Sequence, residues 1–377
     1  MQGSPDIRSV PYASTRHLAF LDNLKAWLTL LVVMHHAGQP YGPTGGAWPV
    51  SHAEKFALLG PFFHVNASFF MGLFFLISAY FVPDSYERKG ARRFLAERLL
   101  RLGLPVLAFG LVVFPLLKHF RRGDAWGDCF LPFEWAHLWF LGHLLVYSLI
   151  YVGYRRLSTG RARPANDRTL PGHTAIALYP LGLAAASTLV RSAYPIDTWV
   201  RFVVPAELAH LPQYASLFLI GVIAGRRRWL EGIPPRIGRI WLGIGLFAIA
   251  ARYAVLSYVL SDEGWTNAFG WNLWEAMLCT GLCIGLPYVF QRHVASTGPL
   301  ARFGARHAFA VYIIHLPILA LIQLQLEATT LGPLVLTALS GGATVLVCYT
   351  LAVTWSALAL RVSTVSRASR PLVGTET

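Results

Sequence analysis

Long apolar runs separated by short polar segments dominate the chain. The runs lie at about 19–38, 62–82, 98–117, 136–154, 174–192, 207–225, 238–259, 268–290, 307–326 and 333–360. Most are close to the roughly 20 apolar residues that a helix needs to cross the hydrocarbon core of a bilayer. The pattern therefore predicts an all-α polytopic membrane protein, a bundle of about ten transmembrane helices. The last run is long enough to tilt or kink, and Gly341-Gly342 is the place we expect for a kink.

The composition points to the same class of protein. Of 377 residues, 55% are hydrophobic and 13% are charged, and the mean hydropathy is +0.49. Soluble globular domains carry about 25% charged residues, so one or two water-soluble domains are excluded. Because no long polar linker divides the chain, we expect a single domain over residues 1–377, with a core at about 18–361 between short polar tails.

The formal net charge of +14 is distributed unevenly along the chain. Of the 32 Lys and Arg residues, 24 lie in the termini and the even-numbered connections, and six lie in the odd-numbered connections. The positive-inside rule then places both termini and the even-numbered connections in the cytoplasm. The charge therefore predicts a multi-pass protein of the cytoplasmic (plasma or inner) membrane, with the lipid bilayer as a partner and no nucleic acid.

The first apolar run carries the densest set of ionisable groups, Asp22, Lys25, His35 and His36. At about 100° per residue, Lys25 and His36 lie about 20° apart around the helix axis, with Asp22 on the same stripe and His35 about 80° away. His36 lies about 16 Å further along the helix than Lys25, near the middle of the bilayer. Two interpretations stay open: an interfacial ion pair with a buried histidine, or a histidine that takes and returns a proton.

Further candidates lie in the fourth and ninth runs. His315 lies at a depth comparable to His36, with Tyr312 three residues earlier on the same helical face. His137 and Trp139 lie at the outer end of the fourth run, where aromatic side chains often mark the membrane interface. For these residues a structural role and contact with a substrate are both open interpretations.

Arg252 and Glu275 form a separate prediction. Each lies about 10 Å below the outer surface, and an isolated charge at that depth is costly, so we expect the two side chains to pair. A structural ion pair and a substrate role are both open. The sequence shows no metal-ligand cluster, no glycine-rich nucleotide motif and no GxSxG serine motif, so no metal site is predicted.

Five segments resemble, in order, the acyltransferase-3 family of integral-membrane acyltransferases. The segment LDNLKAWLTLLVVMHH is similar to the opening helix of that family, whose signature is an Arg, ten residues and a His. The others are FFMGLFFLISAYF (69–81), RRFLAERLLRLGLP (92–105), HLWFLGHLLVYSLIY (137–151) and FAVYIIHLPIL (309–319). Within the family, the chain is most similar to a glucan-modifying branch. Lys25 replaces the usual Arg, and Ala79 stands where Gly is common.

The resemblance implies an enzyme that transfers acyl groups other than aminoacyl groups, by O-acetylation or succinylation. The donor would be cytoplasmic acyl-CoA and the acceptor a hydroxyl of an extracytoplasmic glycan or glycoside, with no permanently bound cofactor. His36 would act as general base or as a transient acyl carrier, with Lys25 and Asp22 in the same site. The cations closest to the acyl-CoA phosphates would be Arg92, Arg93, Arg98 and Arg101. The alternative is a multi-pass transporter or flippase of a small anionic metabolite or glycan.

Overall fold

The structure is a computed structural model that describes residues 18–43, 48–158, 169–254 and 268–368. Most of this part of the chain is helical. The strands described in it are β1 (Trp199–Val200) and β2 (Ala206–Glu207), which pair antiparallel with Trp199 opposite Glu207. The prediction of an all-α protein is confirmed.

The described residues contain α-helices of very different length. In chain order these are α1 (Ala19–Gly38), α2 (Leu59–Ala67), α3 (Phe70–Tyr80), α4 (Val82–Arg98), α5 (Leu104–Ala108), α6 (Phe114–Arg122), α7 (Trp126–Cys129), α8 (Trp139–Leu157), α9 (His173–Arg191), α10 (Leu211–Arg227), α11 (Pro235–Ala254), α12 (Phe269–His293), α13 (Pro299–Leu326) and α14 (Pro333–Ala368).

The described part of the chain has nine helical stretches long and apolar enough to cross a membrane, so the chain is a multi-pass membrane protein. They are Leu59–Tyr80, Val82–Phe120, Ala136–Leu157, His173–Arg191, Leu208–Arg227, Pro235–Ala254, Phe269–His293, Pro299–Leu326 and Pro333–Leu358. These nine correspond to the second to tenth apolar runs. The first run forms α1, whose acidic, basic and imidazole side chains lower its hydropathy. It nevertheless lies in the core, where Leu21, Leu24 and Leu28 are fully buried.

The second and third runs differ from the prediction at their boundaries. The second run is interrupted at Phe69 (φ −139°, ψ −36°), which separates α2 from α3. The polar segment 84–101, expected as a connection, is helical and is broken at Gly90 (φ 72°), a backbone conformation that glycine adopts readily. Two π-helical turns, Leu99–Gly103 and Phe109–Val113, come shortly before prolines, which cannot donate the usual i→i−4 hydrogen bond.

The last helix is continuous. The helix α14 passes through Gly341-Gly342 without a break in helical structure, and a kink there stays a prediction. Gly341 permits a close approach to α1, because a Cβ there would lie 2.5 Å from Met34 Sδ and 3.2 Å from Ala37 Cβ. Helices α1, α13 and α14 therefore pack side by side.

Contacts between helix ends join the predicted cytoplasmic segments at one end of the bundle. Asn23 at the start of α1 donates to the Val294 carbonyl, just after α12 (2.7 Å), and Lys25 lies 5.3 Å from the ring centre of Phe81, just after α3. Arg226 of α10 donates to the Tyr151 hydroxyl of α8 over 3.4 Å. We name this end of the bundle, which includes Asn23, Lys25, Phe81, Tyr151, Arg226 and Val294, the basic end. Its assignment to the cytoplasm stays a prediction.

Candidate functional site

His36 lies at the contact between α1 and α13. Its Nδ1 is 2.9 Å from Nε2 of His315, and the two ring planes are within 17° of parallel. The ring of Trp48 also lies nearly parallel to that of His36, with ring centres 5.7 Å apart. His36 is partly exposed, whereas His315 is completely buried. The structure therefore joins two candidates that are 279 positions apart in the sequence.

A third imidazole, that of His137, completes what we call the histidine cluster (His36, His137 and His315). The ring centre of His137 lies 4.7 Å from that of His315, and the ring planes are nearly perpendicular at 70°. His137 is buried among α13 side chains, so its expected place in an interfacial aromatic belt is not what the structure shows. The sequence indicated each histidine separately, without the contact among them.

Pro317 explains why His137 docks on α13. In an unbroken helix the carbonyl of Ile313 would accept from the N–H of residue 317, which proline lacks. His137 Nε2 instead donates to that carbonyl over 3.0 Å. In return the hydroxyl of Tyr312 donates to the His137 carbonyl over 2.6 Å. The described contacts thus give His137 and Tyr312 a structural role in joining α8 to α13.

Trp139 belongs to a different group of side chains. Its indole lies on the ring of Tyr214, with centres 5.6 Å apart and planes 27° apart, and near Trp199 at 5.8 Å. His35 lies outside the histidine cluster, although its ring meets that of His36 edge to face with centres 5.7 Å apart. Its Nε2 accepts from Gln39 at 3.1 Å, and its ring packs on Phe63 at 5.1 Å. The hydrogen-bond partners of His35 and His36 therefore differ, and a difference in their roles stays a prediction.

Two residues of the site escaped the sequence prediction, Gln323 and Trp48. Gln323 is completely buried; its amide nitrogen donates to the Ala37 carbonyl over 3.0 Å. Its amide oxygen accepts from Trp48 Nε1 over 2.6 Å, which holds the indole beside His36. An amide in an apolar helix, about two turns beyond His315, was the available signal, since such groups inside membranes need partners.

Asp22 and Lys25 form the expected ion pair near the basic end, with Oδ1 and Nζ 2.6 Å apart. Lys25 Nζ also lies over the Phe81 ring, and its side chain is about one-third exposed, at 35%. Along α1, about 11 residues or 16 Å of helix separate it from His36. The described contacts are those of the interfacial pair, and a role in catalysis stays a prediction.

The four candidate arginines fall into two groups. Arg92 and Arg93 are exposed, and Arg93 Nε lies 3.1 Å from Glu97 Oε1. Arg98 and Arg101 lie over the rings of Phe94 and Phe309, at 5.2 Å and 5.0 Å. In the part of the chain that the structure describes, no carboxylate lies within ion-pair distance of either. Phe309 is on α13, so Arg101 lies beside the helix that carries His315.

The predicted pairing of Arg252 with Glu275 is wrong. Glu275 of α12 pairs with Arg191, at the end of α9. Arg252 donates to His64 Nδ1 over 2.7 Å and lies 5.6 Å from the Trp271 ring centre. Depth along a helix fixes the height of a side chain but not the direction in which it points. Both α9 and α11 pack on α12, and the side chain of Glu275 points toward α9 rather than toward the arginine of α11.

Arg191 organises a second buried polar group, which we name the arginine cluster (Arg191, Glu275, Asn272, His210 and Glu207). Arg191 donates to Glu275, to Asn272 Oδ1, to the Ala209 carbonyl at 3.3 Å and to His210 Nδ1 at 3.3 Å. Glu207 lies 3.7 Å from His210 and accepts from the Asp197 N–H at 2.7 Å. Burial raises the pKa of the Glu207 carboxyl from 4.5 to about 7, although the Asp197 N–H opposes the shift.

The residues described in the structure contain no group of three or more His, Cys, Asp or Glu side chains placed to hold a metal ion. The chemistry that the histidine cluster itself supplies is proton transfer at a partly exposed imidazole.

A comparison with known protein families finds a match over most of the chain. A family model described as an acyltransferase domain matches residues 18–353, from the start of α1 into α14. Proteins named glucans biosynthesis protein C from Salmonella paratyphi B, Salmonella dublin and Salmonella enteritidis are 28% identical over 229 residues, covering 54% of this chain and 57% of each relative. The chain thus spans a little over half the length of these relatives. No solved structure matches it. By this family model, the chain belongs to the acyltransferase-3 family.

Proposed function

We propose that the protein is a membrane O-acyltransferase. It moves an acyl group of the acetyl or succinyl class from cytoplasmic acyl-CoA to a hydroxyl of an extracytoplasmic carbohydrate, with His36 as general base. The observation that carries the proposal is the place of His36: a partly exposed imidazole in a helical bundle, hydrogen-bonded to a buried histidine, in a chain of an acyltransferase family. The names of the Salmonella relatives support a glucan-like acceptor.

The proposed reaction balances without a further reactant. The acceptor oxygen attacks the thioester carbonyl carbon, and the new C–O bond forms as the hydroxyl proton passes to His36. Collapse of the tetrahedral intermediate breaks the C–S bond, and the departing CoA sulfur takes the proton back. His36 ends neutral, as it began, and the products are an ester and free CoA. One imidazole thus serves as base and then as acid.

The donor would enter from the basic end, which we propose faces the cytoplasm. Arg98 and Arg101 lie on aromatic rings and are free of carboxylate partners in the described chain, which suits them to phosphate oxygens. Lys25 lies about 16 Å of helix before His36 and is partly neutralised by Asp22. In this proposal Arg92 and Arg93 lie at the exposed periphery, and the thioester arm follows α1 toward His36.

The test is acyl transfer by purified protein. Acetyl-CoA and succinyl-CoA are supplied with a glucan oligosaccharide, and free CoA and esterified glucan are both measured. We expect His36→Ala to lower kcat by about 10²–10⁴-fold, the usual contribution of a general base. His35→Ala is the matched control, because His35 is adjacent in sequence but contacts Gln39 and Phe63.

Wild-type turnover in folded His36→Ala would refute the proposed role of His36. Absence of CoA release by the wild-type protein, together with movement of glycan across proteoliposomes, would favour a transporter or flippase instead.

A further inference from the structure

We infer that His315 is a positioning residue that fixes which nitrogen of His36 carries the lone pair. The hydrogen bonds of the histidine cluster assign the proton of His36 to Nδ1 and leave Nε2 as the basic atom. The catalytic consequence rests on the proposed function, whereas the assignment of the protons rests on the contacts alone.

The assignment begins at a backbone carbonyl. His315 Nδ1 lies 2.7 Å from the carbonyl oxygen of Tyr312, and a carbonyl accepts but never donates. Nδ1 of His315 therefore carries a hydrogen. His315 is completely buried in a membrane-spanning helix, and no carboxylate contacts it in the described chain, so the ring is neutral and holds one N–H. Its Nε2 is consequently a lone-pair acceptor.

The next bond carries this assignment to His36. Nε2 of His315 lies 2.9 Å from Nδ1 of His36, and an acceptor at that distance requires a donor opposite. Nδ1 of His36 therefore carries its hydrogen, and the neutral ring keeps its lone pair on Nε2. His36 is the cluster residue that keeps some exposure, and in the proposed function Nε2 is the atom that the acceptor hydroxyl would meet.

His137 keeps the arrangement unambiguous. The His137 ring lies close enough to His315 to compete for the lone pair on Nε2 of His315. However, Nε2 of His137 donates its hydrogen to the carbonyl of Ile313. That carbonyl lacks its usual helical partner because residue 317 is a proline. His315 Nε2 is thus left to His36. When His36 takes a proton from the acceptor hydroxyl, its Nδ1–H bond to His315 becomes charge-assisted and stabilises the imidazolium.

The first test reads the proton positions directly. Protein labelled with ¹⁵N-histidine is reconstituted in lipid bilayers without substrate, and the His36 signals are identified by their loss in His36→Asn. We expect Nδ1 of His36 to give a protonated-type ¹⁵N shift and Nε2 an unprotonated-type shift. In His315→Leu we expect the two types to exchange or mix. A protonated Nε2 in the wild-type protein would overturn the inference.

The second test is kinetic and distinguishes positioning from mere packing. His315→Leu should lower kcat by about 10-fold or more and leave KM for acyl-CoA within about 2-fold. The reason is that nothing then holds the His36 proton on Nδ1, whereas the donor site is intact. His315→Gln should recover most of the activity, since the amide oxygen accepts the same hydrogen. His143→Leu is the matched control, a buried histidine of α8 outside the cluster.

Equal kcat for His315→Leu and wild type would overturn the positioning role. The two hypotheses fail separately. Full activity in His36→Ala would reject the proposed function, while the ¹⁵N spectra would still decide the proton positions.

Discussion

The arginines at the two ends of the bundle differ in how their donors are used. Arg191 is 2% exposed and gives its hydrogens to a carboxylate, an amide oxygen, a carbonyl and a histidine. Arg98 and Arg101 lie over phenylalanine rings, with no carboxylate partner in the described chain. A guanidinium has five donors, so its availability to a ligand depends on how many the protein already uses. Arg191 therefore stabilises the fold, whereas Arg98 and Arg101 are available to an anion.

The strongest test of this contrast removes the buried charge at the end away from the basic residues. Arg191→Met leaves Glu275 buried without its cation, and we expect a loss of about 3–5 kcal/mol of stability, seen as low folded yield and a lowered Tm in detergent. The double variant Arg191→Met/Glu275→Leu should recover most of that loss, because no charge is then left alone. Arg101→Met is the matched control and should keep the wild-type Tm. A stable Arg191→Met protein would contradict the contrast.

A smaller effect is expected at the basic end, and on binding rather than folding. Arg101→Ala should weaken CoA binding by about 10-fold, equal to about 1.4 kcal/mol, because a charge-assisted contact to phosphate is lost. Arg93→Ala is the comparison, since Arg93 is exposed and engaged by Glu97. Titration of CoA into the two detergent-purified variants measures the difference. Wild-type CoA affinity in Arg101→Ala would remove Arg101 from the donor site.

The smallest effect concerns pH and the edge of the arginine cluster. The pKa of Glu207 is raised from 4.5 to about 7, so the folded protein binds a proton more tightly than the unfolded chain. The contribution of Glu207 to the free energy of unfolding is therefore fully present below about pH 4.5. It falls as the pH rises toward 7, by at most about 1.4 kcal/mol per pH unit. Glu207→Gln should flatten this slope in Tm measured from pH 5 to 7.5, and Glu54→Gln, at an exposed site, should not. An unchanged slope in Glu207→Gln would show that another group titrates.

The sequence predicted the membrane spans well because a bilayer imposes a length and a polarity on each of them. It also predicted the Asp22–Lys25 pair, since an i,i+3 spacing places both side chains on one face of a helix. The partners of Glu275 depend on how α9, α11 and α12 rotate against one another. The spacing of residues along the sequence gives no information about that rotation.

The same reasoning explains the outcome at the candidate site. His36, His137 and His315 were each identifiable as polar groups in apolar surroundings, but their contact is set by the packing of α1, α8 and α13. Trp48 lies in a connection, where no helical period indicates which helix it approaches. Gln323 was detectable as a buried amide, yet its two partners, Trp48 and Ala37, come from distant parts of the chain.

The contact between α1 and α13 also has a consequence for biogenesis. His36 lies on α1, but its partner His315 on α13 is synthesised 279 residues later. His137, which docks on the Ile313 carbonyl, is likewise in place long before α13 arrives. During synthesis the proposed base is therefore present without the residue that we infer sets its tautomer. A ribosome that stalls before α13 leaves the histidine cluster incomplete, so the cluster forms only after α13 has been inserted.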